Sequence, residues 1–184
     1  MDKDRVRDWL LLIYTVPSQP SRLRATVWRE LKKAGAVYLR DGVAILPQRD
    51  ETLAVFQAIA GRIGAFGGQA TLVEGARLGA ERAEAVITQL QAARAEEYAE
   101  IRREAEHFLA HAARERAHRA FTFAELEELE EDLGKLKHWV EQVRTRDYCE
   151  TADGGFIEEL LDRCEAAVSS LLEEAYGNDK ETRS

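Results

Sequence analysis

Residues 9–47 read WLLLIYTVPSQPSRLRATVWRELKKAGAVYLRDGVAILP. The run Trp9–Val16 is apolar at both even and odd positions, so it reads as a central strand covered on two faces. Pro17 and Pro20 end it. Ser21 then stands as an N-cap for a helix to about Ala34, with Gly35 placed to stop it. Leu23, Val27, Leu31 and Ala34 form the apolar stripe of that helix. Two short β-type runs follow, 37–39 and 43–46, joined by Asp41-Gly42, a hairpin signal.

Working outward, the spacing of Leu53, Phe56, Ile59 and Ala60 predicts a second helix over about 50–63, and Gln69 to Glu74 reads as a fourth strand. The order β-α-β-β-α-β is the split βαβ, or ferredoxin-like, arrangement, with both helices expected on one face of an antiparallel sheet. Gly75 and Gly79 mark a joint. Beyond it, one helical pattern runs from about Ala80 to Ala117. Thr122 and Glu125 make a capping box, with Phe121 stapled on Leu126. Leu126, Leu129, Leu133, Leu136, Val140 and Val143 then form a heptad seam. A last helix is expected from Gly154 to Tyr176, with Phe156, Leu160, Cys164, Val168 and Leu171 inward and a polar, frayed tail after it. The expected class is therefore α+β: a ferredoxin-like domain over 1–78, then an antiparallel helical hairpin or bundle of about three long helices over 79–184.

The 184-residue chain is 45% hydrophobic and 33% charged, with a net charge of −8. Residues 1–75 hold 11 Lys and Arg against 8 Asp and Glu, whereas residues 76–184 hold 15 against 26. A nucleic-acid contact thus belongs to the first half, and the overall acidity excludes a non-specific polyanion binder. The longest apolar run, Trp9 to Tyr14, is far short of the ~20 residues of a membrane helix. The charged start MDKDRVRD lacks a signal-peptide pattern, so a cytoplasmic protein with no membrane partner is expected. Cys149 and Cys164 are 15 residues apart with no CxxC pairing. Both are expected as thiols, Cys164 in a core and Cys149 in a loop.

Arg22, Thr26, Arg29 and Lys33 recur at steps of four, three and four, with Lys32 at the edge of that face and Arg24 and Trp28 beside it. Such a cationic row suits successive phosphates; it equally suits a solvated helix face. Arg144 and Arg146 beside Tyr148, or Arg22 with Arg24, are candidates for a tetrahedral oxyanion. Glu104, His107 and His111 share a helix face, but neither of the following helices carries the matching Glu-x-x-His that a di-iron bundle needs, so neither metal nor cofactor is expected. The glycine-rich run 61–68 ends a helix instead of opening one, which makes it a connector and not a phosphate cradle.

The 9–47 block, FTFAELEE at 121–128 and RTRDY at 144–148 together resemble the N-terminal domain of the chromate-resistance regulator ChrB. The resemblance implies a chromate-responsive transcription regulator, with promoter DNA and chromate or a similar oxyanion as partners. It also implies a further C-terminal domain in full-length members, which this chain is expected to lack. Residues 1–75 resemble the third domain of PaaX-type repressors, itself similar to the small nuclease subunit of the CRISPR adaptation complex. Those nucleases place an aspartate at the end of strand one, whereas this chain has Tyr14-Thr15-Val16 there. The resulting expectation is a non-enzymatic, DNA-associated regulatory protein, dimeric through sheet edges or the heptad seams. The alternatives are an interaction module using the acidic helices and a metal- or thiol-dependent enzyme.

Overall fold

The computed structural model describes residues 8–118 and 123–182. The chain divides into two compact units, Met1–Ala93 with Arg146–Cys149, and Arg94–Thr145 with Glu150–Ser184.

The first unit contains β1 (Trp9–Thr15), α1 (Arg22–Lys33), β2 (Val37–Arg40), β3 (Val43–Pro47), α2 (Asp50–Ala65) and β4 (Gln69–Ala76). The strands form one sheet in the order β2-β3-β1-β4, with every neighbouring pair antiparallel. This is the strand order of the split βαβ fold, and it puts β1 in the interior as its two-faced apolarity predicts. Leu10, Leu12, Ala44 and Leu46 on one face pack with Val27 and Leu31 of α1 and with Phe56, Ile59 and Ile63 of α2. Trp9 and Ile45 on the opposite face meet Val86 and Leu90. Those two residues lie near the start of α3 (Ala80–His118). The sheet is thus covered twice, and the compact unit is larger than the 75-residue α+β motif.

Both α1 and α2 stop in the same way. Beyond α1, the Ala36 N–H donates to Leu31 O at 3.0 Å and the Gly35 N–H to Lys32 O at 2.9 Å. Beyond α2, the Gly68 and Gly67 N–H groups repeat that pattern onto Ile63 O and Gly64 O. Each is a Schellman closure, turned by a glycine at positive φ. Ser21 does occupy the N-cap position of α1, but its side chain makes no capping bond. Thr52 is buried because its hydroxyl donates to Pro47 O at 2.7 Å while accepting the Arg49 N–H at 3.0 Å.

The second unit is a three-helix core built from α3, α4 (Phe123–Arg144) and α5 (Asp153–Thr182). Tyr98, Ile101, Ala105, Phe108 and Ala112 of α3 recur at steps of three and four. They close on the α4 seam, every predicted member of which is buried, and on Ile157, Leu160, Cys164, Val168 and Leu171 of α5. Two expectations change in α5. Ile157 takes the inward place, and Phe156, about 100° away around the helix, is 49% exposed. The helix also continues through Thr182 instead of ending at Tyr176. The capping box at Thr122 and the staple at Phe121 lie outside the described residues. Arg94 is the one buried charged side chain among the described residues, and its Nε lies 3.4 Å from Glu97 Oε2. No described helix is long and apolar enough to cross a membrane.

Two glycines predict opposite signs. Gly42 has φ +70°, and a Cβ there would sit 2.6 Å from Tyr14 O. Gly42→Ala is expected to destabilise the chain by about 1–3 kcal/mol. Gly61, within α2 and facing open space, should gain about 0.5–1 kcal/mol as Gly61→Ala. Denaturant midpoints of the two variants check both signs.

Candidate nucleic-acid interface

The length of α1 is 12 residues, and it carries Arg22, Arg24, Arg29, Lys32 and Lys33 against a single acid, Glu30. Val27 and Leu31 are fully buried, which fixes the rotation of the helix and sends all five cations to solvent. Glu30 is drawn away by Arg62 of α2 at 2.9 Å. None of the five cations forms an ion pair with a described residue. Local contacts order two of them: Arg29 Nε donates to Ala25 O at 3.3 Å, and Lys32 Nζ lies 5.6 Å from the centre of the Trp28 ring. Lys32 and Lys33 sit in the last turn, where the helix dipole favours positive charge.

Beside this face, at the end of β1, lies a cleft of about 690 Å³ lined by Tyr14, Thr15, Val16, Arg24, Trp28, Tyr38, Asp41 and Gly42. The hydroxyls of Tyr14 and Tyr38 are 3.2 Å apart. Burial, and then the hydrogen bond it makes with Tyr14, raise the Tyr38 hydroxyl well above the ordinary tyrosine range. The sequence located Arg24 and Trp28, yet the two tyrosines, one from each of two strands that flank β3, could be joined only through the sheet register. Trp28 is half-exposed.

The candidate oxyanion cluster is divided. Arg144 belongs to the second unit and pairs with Glu158. Arg146 and Tyr148 belong to the first. Tyr148 donates its hydroxyl to Ala34 O at 2.9 Å, receives Arg49 Nη2 on its carbonyl at 2.9 Å, and stacks its ring beneath the Arg49 guanidinium. Its side chain thus tethers residues 146–149 to the end of α1, a contact spanning 114 positions that no local pattern announces.

Glu104, His107 and His111 line a second cleft, of about 560 Å³, with Arg114, Asp132, Lys135 and Trp139. His111 lies 3.4 Å from Glu115, and Lys135 lies 2.8 Å from Asp132, which raises the lysine pKa. The described residues bring no three His, Cys, Asp or Glu side chains together as a metal site. Cys164 is in the core with its Sγ 3.8 Å from Ala105 O, and Cys149 is partly buried against the outer face of the sheet.

The first unit is thus a ferredoxin-like α+β domain displaying a cationic helix, and the second is a helical core. The chain belongs to the family described as "Protein ChrB, N-terminal", whose model matches residues 24–182. It is also similar to Protein ChrB of Cupriavidus metallidurans, 40% identical over 52 residues, which is 28% of this chain. The matched stretch spans only 16% of that relative's length. No solved structure matches the chain.

Both thiols are pushed up to about 11, in each case chiefly by burial; Asp147 adds to the rise at Cys149, and Arg163 opposes it at Cys164. The protonated thiol is the form the folded state favours. Its stabilisation is therefore complete below about pH 9 and is lost as pH rises through about 11. Thiolate absorbance of the folded chain should stay flat near pH 8 and rise only toward pH 11, with the melting temperature falling over the same window.

Proposed function

We propose that this chain is a ChrB-type regulatory protein of chromate resistance that associates with promoter DNA through α1 and is not an enzyme. One observation carries the reading: five exposed cations on a single helix, none in an ion pair with a described residue, in a chain whose net charge is −8. A protein this acidic gains no general affinity for polyanions, so a locally cationic helix favours a specific contact. Arg22, Arg29 and Lys33 supply phosphate contacts along one stripe. The chromate link comes from family membership. Chromate enters this reading as the signal of the pathway and not as a ligand of Arg144, because that guanidinium is already engaged by Glu158.

The heptad seams are closed within one chain, so they give no reason for a second copy. The open sheet edges, β2 and β4, remain the route to a dimer. Sedimentation is expected to give the mass of two chains, and a monomer at micromolar concentration removes the dimer from the reading. The exposed glutamates of α4, Glu127, Glu128, Glu130 and Glu131, favour the alternative of a protein-interaction module. The two readings part on DNA. Binding to its own promoter duplex should weaken roughly tenfold when Arg29 and Lys33 are both changed to Ala, with the log–log salt slope shallower by about two. Binding indifferent to both changes rules out the α1 interface.

A further inference from the structure

The cleft at the end of β1 combines three features. Its walls include the aromatic rings of Tyr14, Trp28 and Tyr38. One cation, Arg24, and one acid, Asp41, line it. It also shares α1 with the cationic stripe, since Arg24 and Trp28 come from the same helix as Arg22, Arg29 and Lys33. At about 690 Å³ the cleft has the size of a small-molecule site, which runs roughly 300–1,000 Å³.

We infer that this cleft receives an unpaired base of a nucleic-acid strand whose phosphates lie along α1. The inference rests on the nucleic-acid reading of α1 and adds the kind of strand it grips. Chemistry selects the occupant. A base needs a flat apolar surface, and the half-exposed face of Trp28 provides one. The exocyclic amino group of a base needs an acceptor, and Asp41 is the one carboxylate among the described lining residues. That same carboxylate repels phosphate, so the strand enters base first and leaves its backbone to the cations of α1. The Tyr38 hydroxyl, its pKa raised by burial and by the bond with Tyr14, contributes hydrogen bonding without adding negative charge. An organic cation, the usual guest of an aromatic cage, is disfavoured by Arg24 in the wall and by the other four cations of the helix. A duplex cannot offer the same contact, because its bases are already stacked upon each other. The site would therefore read an unpaired or extruded nucleotide, whereas the stripe of Arg22, Arg29 and Lys33 holds backbone of either kind.

The decisive experiment is fluorescence anisotropy of the full chain with a labelled single-stranded oligonucleotide, the same oligonucleotide carrying abasic sites, and the corresponding duplex. Three variants accompany it: Trp28→Ala, Trp28→Phe, and Arg29→Ala with Lys33→Ala. Trp28 is 50% exposed, so its truncation should leave the fold intact, and circular dichroism checks this. Trp28→Ala is expected to weaken single-strand binding about tenfold and duplex binding less than about twofold, and Trp28→Phe should restore most of the loss. Abasic substitution should mimic Trp28→Ala. Equal affinity for abasic and intact strands, or indifference to Trp28→Ala, overturns the base-reading cleft. If duplex binding still falls in the Arg29/Lys33 variant, only the cleft is lost and the α1 interface stands. Absence of binding to every probe sinks both. Competition by a free mononucleotide as effective as the oligonucleotide overturns the strand as occupant and reassigns the cleft to a soluble nucleotide.

Discussion

Three of the four residues of strand β1 between Trp9 and Leu12 have almost no surface to give to water. Trp9, Leu10 and Leu12 are each at or below 1% exposure, and they point to opposite sides of the sheet. Each such side chain contributes about 1.5–3 kcal/mol when fully removed from water. Neither face can be left bare without forfeiting a share of that. Leu10 and Leu12 require the α1–α2 layer; Trp9, with Ile45 beside it, requires the beginning of α3. The two-sided burial of a single strand therefore positions three helices, and the cationic surface follows from where one of them lies.

That helix is a poor candidate to stand alone. At 12 residues it is at the short end of what can persist in water, and it places five cations within about three turns. Mutual repulsion opposes it further. What holds it is tertiary: Val27 and Leu31 in the core, the Schellman closure at Gly35, the Tyr148 hydroxyl on Ala34 O, and Arg62 on Glu30. The last contact has two effects. It ties α1 to α2, and it withdraws the one negative side chain that might have balanced the cationic face. Trp28 follows the same logic in reverse. It sits one residue after Val27, so the rotation that buries Val27 turns the indole outward, where Lys32 covers part of its ring.

Much of this was legible beforehand because it is periodic. The alternation-free β1, the three-four spacing of α1 and the Asp41-Gly42 turn each depend on neighbours within a few positions, and the βαββαβ order follows from them. The α4 seam was readable for the same reason. Phe156 was misplaced because adjacent apolar residues at the start of α5 leave the phase open by one position, and only packing against α3 and α4 decides for Ile157. The continuation to Thr182 was missed because a polar composition looks the same in a helix and in a tail. The cleft was illegible in a different way. Tyr14, Trp28, Tyr38 and Asp41 come from two strands, a helix and a turn, and no spacing relates them until the register Tyr38↔Ala44↔Leu12 is known. Tyr148, remote in sequence, is an extreme case of the same difficulty.

The end of β1 also bears on what chemistry this scaffold suits. Metal-assisted phosphoryl chemistry calls for several hard oxygen ligands converging on one cation. Thr15 lines the end of β1 with a hydroxyl and no carboxylate, and Asp41 reaches the same cleft from the hairpin as the single carboxylate among the described lining residues. The nearby hydroxyls do not make up the deficit. Tyr38 is held protonated by burial and by its bond to Tyr14, and a protonated phenol is a weak ligand for a hard cation. Those same properties are assets for recognition. Hydroxyls flank apolar ring faces, one carboxylate can accept from an amino group, and Arg24 lies in the same wall. Under the proposed reading, a site so composed holds a base by its face through Trp28 and by its edge through Asp41.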